Sequence, residues 1–193
     1  MTQLFVDEYY IEITKQWINE FIIQFGLCPF AATPYFQNKI LYQVEQSTNE
    51  KQIIDSIVNT ISLLQEKKVK TYDTGFLIIP NCFQEFDTFN QFANVCDAVL
   101  AEMNLVGDIQ IVQFHPNFCY FGNQQDDIQN YTNRSIFPTI HLLRETDITE
   151  ALKNGINTGD IIQRNMARLN TLNEKTILNM QANIVRKVKS EFN

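Results

Sequence analysis

Glycine, proline and cysteine are scarce, at six, five and four in 193 residues. That scarcity excludes collagen-like and low-complexity chains and a disulfide framework. No run of about 18 apolar residues occurs, so no transmembrane helix is expected. The start, Met1-Thr2-Gln3-Leu4-Phe5-Val6-Asp7-Glu8, lacks the basic flank and apolar stretch of a signal peptide, and the expected compartment is the cytoplasm. Positive charge is also short, with 15 Lys and Arg against 22 Asp and Glu and a net charge of −7. A nucleic-acid partner is disfavoured on that balance, because affinity for phosphate backbones comes mainly from Lys and Arg, and nothing points to a membrane partner. The small basic clusters Lys67-Lys68-Val69-Lys70 and Arg186-Lys187-Val188-Lys189 fall near the ends of predicted helices, where positive charge suits the helix dipole. The strong enzyme motifs are missing as well: no Cys-x-x-Cys, no His-Glu-x-x-His, no Gly-x-Ser-x-Gly and no glycine-rich phosphate loop.

What is present is a globular composition, 45% hydrophobic and 12% aromatic, at a length suited to one domain over 1–193. Ile13, Trp17, Phe21 and Phe25 recur at helical spacing and Gly26 follows where a C-terminal cap belongs, which predicts a first helix ending at Gly26. Pro29 stops the turn Leu27-Cys28-Pro29-Phe30-Ala31 from continuing it. A short strand fits Ile40 to Val44. Ser47 with Glu50 three residues on reads as a capping box, opening a helix from about 48 to 67 along the stripe Ile53, Ile57, Ile61, Leu64. The continuously apolar run from Gly75 to Pro80 predicts a central strand covered on both faces. Phe86, Phe89, Ala93, Cys96, Leu100 and Met103 form a third amphipathic helix closed near Gly107, and Ile109 to Phe114 alternates as a strand. These segments predict two consecutive βαβ units with parallel strands. After an irregular stretch, Thr139 to Arg144 reads as a fourth strand. A short helix capped by Thr146 and running to about Asn154, a second after Thr158-Gly159 and a third from Glu174 complete the chain. The expected fold is α/β, bordering on α+β: a mixed four-stranded sheet in the order α-β-α-β-α-β-loop-β-α-α-α with helices packed on it.

Residues 115–138 hold no regular pattern, and irregular loops longer than about 12–15 residues in a compact domain are usually functional or disordered. Phe118, Tyr120, Phe121, Tyr131, Ile136 and Phe137 give this one the apolar mass to pack. It begins where a strand ends, the place where open α/β sheets bind ligands. Both histidines of the chain bracket it. His115 at the strand terminus could act as general base, metal ligand or anion partner, or simply fix the loop. His141 shares a strand face with Thr139 and Leu143, where a histidine is commonly a satisfied core residue. Asp126 and Asp127 could chelate a divalent cation or cap a turn. Arg134 offers a planar fork for carboxylate or phosphate, and Arg144 beside Glu145 could be a surface pair. Cys28, in a turn rather than an apolar stripe, is a candidate nucleophile beside a histidine, or a zinc ligand with His115 and Cys119. Cys96 belongs to a helix core face.

Gly26-Leu27-Cys28-Pro29-Phe30-Ala31, then Phe114-His115-Pro116, then Asp126-Asp127 followed by Asn130-Tyr131-Thr132-Asn133-Arg134-Ser135 and His141-Leu142-Leu143-Arg144-Glu145, resemble the bacterial family called domain of unknown function 1415. The resemblance extends over nearly the whole chain, including the stretch 75–115 and Arg164-Asn165. It implies kinship and carries no reaction with it. Its motif residues fall on Cys28, Pro29, His115, Pro116, Asp126, Asp127, Asn130, Asn133, Arg134, His141, Arg144, Glu145, Arg164 and Asn165. The sequence departs from the family pattern at Cys119, at Phe121 where a small residue is usual, and at Ile162 where a proline is typical. The departure at Cys119 weakens the zinc set.

Three readings follow. In the first, an enzyme or binding protein takes a small anionic ligand in a polar pocket around the loop: Arg134, Asn130, Asn133, Asp126, Asp127 and Arg144 bind substrate, while His115, Cys28 and His141 are the catalytic candidates. In the second, a non-catalytic interaction or adaptor domain uses the same polar groups only to fix the loop. In the third, a thiol-based redox or regulatory protein works through Cys28. No pattern names a cofactor, a metal or an oligomeric state. Convergence of at least four of Cys28, His115, Asp126, Asp127, Arg134 and His141 on one cavity would favour the first reading. Divergence, with each bonded to nearby backbone, would make them scaffolding.

Overall fold

A computed structural model describes residues 3–65, 71–146, 149 and 158–192, with the side chains of 158–160 set aside. Helix α1 spans Gln3–Trp17 and passes into a π-helical turn, Ile18–Ile23. The wider turn brings Ile18, Phe21 and Ile22 into the core beside Ile13 and Trp17. Gly26 follows at φ +57°, the left-handed value expected of a glycine that closes a helix. Then come α2 (Ala32–Phe36), β1 (Ile40–Val44), α3 (Glu50–Gln65), β2 (Thr74–Ile78), α4 (Phe86–Glu102) and β3 (Ile109–Phe114). A 3-10 turn at Ile128–Thr132 interrupts the long loop before β4 (Thr139–Arg144), α5 (Thr158–Asn170) and α6 (Glu174–Glu191). Most of the helix expected from Thr146 to about Asn154, and the basic cluster at 67–70, lie outside the described residues. Among the described residues, no helix is long and apolar enough to cross a membrane.

The fold is α/β with a mixed four-stranded sheet, as the succession of segments predicts, but the strand order is β1-β2-β4-β3. β1 and β2 are parallel, whereas β4 runs antiparallel to both β2 and β3. The second of the two expected βαβ units is therefore not formed by direct pairing: β2 and β3 point the same way with β4 inserted between them. β2 is central, and each of its residues is buried. The predicted capping box is also corrected. Asn49, not Ser47, caps α3, its Oδ1 accepting the N–H groups of Lys51 and Gln52 while the Ser47 hydroxyl accepts from Asn49.

Alternation along the strands separates two cores. Leu77, Ile140, Leu142 and Ile109 face α3 and α4, meeting the stripes Ile53, Ile57, Ile61, Leu64 and Phe89, Ala93, Cys96, Leu100. On the opposite face Ile40, Phe76 and Phe114 meet Ile13, Trp17, Ile18 and Phe21, together with Leu169 of α5 and Ile177, Ile184 and Val188 of α6. Each such side chain contributes about 1.5–3 kcal/mol by leaving water. The second face does not close completely, and its opening holds the site.

Candidate functional site

A cavity of about 800 Å³ lies against this second face of the sheet. Ile40, Phe76, Val112, Phe114, His141 and Leu143 come from the four strands, and Trp17, Ile18 and Ile22 from the first helix and its π turn. Ile161, Ile162, Asn165 and Met166 of α5, the 27–34 segment, and Tyr120, Asn123, Gln129, Thr132 and Asn133 of the long loop complete the lining. The walls are thus chiefly apolar, with polar groups at a few points, rather than the polar pocket expected from the loop.

His141 stands in this wall by register, opposite Phe76 on β2 and Val112 on β3. Its ring stacks on Phe76 at 4.0 Å between centroids and 15° between planes, and meets Phe114 at 5.8 Å. Nε2 lies 2.6 Å from Thr74 Oγ1, and that hydroxyl donates to the Leu142 carbonyl at 2.7 Å. Burial among these rings pushes the His141 pKa down to about 3, so the imidazole is neutral at physiological pH. Cys28 lines the same cavity. Burial raises its thiol pKa, an effect partly opposed by the backbone N–H groups of Phe30 and Ala31 and by the Arg164 guanidinium. That direction is the reverse of what a reactive regulatory thiol needs. Asn165, also in the lining, donates from Nδ2 to the Leu27 carbonyl at 2.6 Å and so anchors the Cys28 turn to α5.

The remaining sequence candidates lie elsewhere or face other partners. His115 is fully buried, donates from Nε2 to the Phe83 carbonyl at 2.9 Å and accepts at Nδ1 from the Asn117 N–H at 3.0 Å. Both ring nitrogens are spent, and burial lowers its pKa. Arg134 donates from Nε to the Phe118 carbonyl and from Nη2 to the Gln125 carbonyl, with its guanidinium 4.6 Å from the centre of the Tyr131 ring. Asn130 ties Tyr120, Asn123 and Gln124 together from a fully buried position. Asp127 accepts the Gln124 N–H, and Asp126 is exposed. Asn133 does reach the cavity, donating to the Gln113 carbonyl and accepting from the Tyr120 hydroxyl. Arg144 is also in the lining, but its side chain leaves β4 toward α3, with Nη2 donating to the carbonyls of Leu64 and Tyr72.

Of the six residues whose convergence would favour a reaction site, Cys28 and His141 line the cavity, while His115, Asp126, Asp127 and Arg134 do not. Among the described residues no group of three or more His, Cys, Asp or Glu side chains gathers to hold a metal ion. The set Cys28, His115 and Cys119 is not assembled, since the Cys119 thiol donates to loop carbonyls and His115 has no nitrogen to spare.

Residues 9–179 match the family model described as protein of unknown function DUF1415. The chain belongs to the DUF1415 family. No curated protein and no solved structure matches it. In this DUF1415 chain the residues that sequence reasoning passed over are Trp17, Asp73 and Thr74, all in the cavity lining. Trp17 reads in the sequence as one more member of an apolar stripe, and Thr74 precedes the apolar run with no mark of its own. Arg164 and Asn165 stand out only through the family resemblance.

Buried polar atoms without hydrogen-bond partners are scarce in native proteins and call for a physical explanation. Seven such side-chain atoms occur among the described residues. Trp17 Nε1, Arg144 Nε and Asn165 Oδ1 belong to residues lining the cavity, and Arg164 Nε and Nη2 belong to the guanidinium that acts on Cys28. Four of the seven, on Trp17, Asn165 and Arg164, thus belong to the cavity lining or to the guanidinium beside its Cys28 turn, while the Arg144 side chain lies on the α3 side of the sheet.

Proposed function

We propose that this chain binds a small molecule with an apolar, flat body and an acidic group in the cavity between the sheet and the α1 and α5 helices. The observation that carries the reading is the gathering of partnerless buried polar atoms around an otherwise apolar space of about 800 Å³. Ligand pockets run to about 300–1,000 Å³, mostly apolar with a few convergent polar groups. A ligand body against Phe76, Phe114 and Trp17 would replace water there, and an anionic oxygen would meet the partnerless Nε and Nη2 of Arg164 beside the Cys28 turn. Binding is better supported than catalysis. His141 is held neutral, the Cys28 thiol is pushed up, and the other proton-moving candidates are bonded elsewhere.

Trp17 is the single tryptophan and gives the test a built-in reporter. Naphthoate added to the nitrogen-15-labelled protein is expected to move the Trp17 indole N–H resonance saturably. Val112→Phe, which fills the cavity from β3, is expected to abolish that movement with an unchanged melting temperature. Arg164→Met is expected to erase the preference for naphthoate over neutral naphthamide. An indole resonance that ignores naphthoate, or one that responds equally in Val112→Phe, would sink the reading.

The adaptor reading has one observation in its favour: Arg134, Asn130, Asp127 and His115 spend their polar atoms on loop backbone, as scaffolding would. Scaffolding of the loop is compatible with a cavity beside it.

A further inference from the structure

Resting on the binding reading above, we infer that His141 Nδ1 is a fixed hydrogen-bond acceptor in the cavity, and that the site takes an aromatic ligand bearing an O–H or N–H donor at that point. A threonine hydroxyl has one proton, and that of Thr74 goes to the Leu142 carbonyl. The 2.6 Å contact between Thr74 Oγ1 and His141 Nε2 therefore requires Nε2–H to donate. A neutral imidazole carries one N–H, so Nδ1 is left with a bare lone pair. It has no partner among the described residues, although His141 is only 9% exposed. Stacking on Phe76 and the pairing of β4 with β2 on one side and β3 on the other hold the ring in place. Its neutrality persists throughout physiological pH, so the acceptor is permanent.

Asn165 supplies an independent observation of the same kind. Its Nδ2 must be the atom facing the Leu27 carbonyl, since two acceptors would repel at 2.6 Å, which leaves Oδ1 as a buried acceptor without a partner. Two partnerless acceptors in one lining ask for donors on the ligand, and the rings of Phe76 and Phe114 ask for a flat apolar body to carry them. A buried acceptor left unpaired discriminates strongly against an isostere lacking the donor.

The test compares para-cresol with para-xylene, which differ by a hydroxyl in place of a methyl, using the Trp17 indole resonance to measure affinity. In the wild type para-cresol is expected to bind about tenfold more tightly or better. His141→Phe, which keeps the ring stack and removes the acceptor, should bring the ratio to about one or below. Should that variant fail to fold, Thr74→Val serves: it removes the acceptor of Nε2–H, frees the other tautomer and abolishes the preference for para-cresol. Nitrogen-15 NMR of the two histidines should show His141 protonated at Nε2, with the bare Nδ1 shifting when para-cresol binds. Equal wild-type affinities, or an Nδ1-protonated His141, would overturn this inference and leave the cavity reading standing. If neither compound moves the Trp17 resonance, both fall together.

Discussion

Arg134 carries a permanent charge, yet its donors meet the carbonyls of Phe118 and Gln125 and no carboxylate. Arg134→Ala would leave those carbonyls unpaired within the loop, at a cost of about 3 kcal/mol. A melting temperature lower by about 6–12 °C is expected, with naphthoate affinity unaltered, and an unchanged melt would contradict the loop-fixing role. Cys28 makes the opposite kind of statement. Peptide mapping after timed iodoacetamide treatment should place the pH midpoint of its alkylation above that of a free thiol, because burial dominates. Removing the nearby cation in Arg164→Leu should raise that midpoint further. A midpoint below the free-thiol value would revive the regulatory reading. His141 links the site to acid stability. Its folded pKa of about 3 lies below the ordinary histidine value of about 6.5, so between these values the unfolded chain binds a proton that the folded one refuses. Stability contributed by the neutral ring is complete above about 6.5 and falls as the pH drops, by about 2 kcal/mol at about pH 5. Thermal melts between pH 7 and 5 should show this slope, and His141→Phe should flatten it; an identical slope in the variant would assign it elsewhere.

Among the elements, those that alternate or stripe strongly were legible in the residues. α4 begins at Phe86, β3 and β4 occupy 109–114 and 139–144, and β2 is buried throughout as its apolar run requires. Gly26 marked the end of the first helix, where φ is +57° and Arg168 donates to the carbonyls of Phe25 and Gly26. Gly26→Ala would strain the backbone and displace that guanidinium, and a loss of about 1–2 kcal/mol is expected in denaturant titration. An unaffected midpoint would show that Arg168 and the turn relax freely. The insertion of β4 was not legible, because local periodicity carries no information about which strand becomes whose neighbour. The loop candidates were visible as a dense set of amides and charges, but a bond to a local carbonyl and a bond to a ligand call for the same residue types. Thr74 could not be singled out at all: its meaning arises only when pairing brings it to His141, 67 residues away.

For the whole molecule, the two sheet faces divide the labour. The α3 and α4 side closes as a continuous core, while the side facing α1, α5 and α6 keeps an opening rimmed by the Cys28 turn and the long loop. Of the family motif residues, Cys28, Asn133, His141 and Asn165 line that opening, and Asn130 and Arg134 hold the long loop together. The placement of β4 also bears on how the protein is made. β2 leaves the ribosome about sixty residues before its antiparallel neighbour, and at roughly 5–20 residues per second the nascent chain carries an unsatisfied strand edge for several seconds. β3 waits in the same way, since its ladder too is provided by β4. Synthesis must therefore run past Arg144 before the sheet can be zipped, and a chain that stalls before that point presents two apolar strands to whatever chaperone is near.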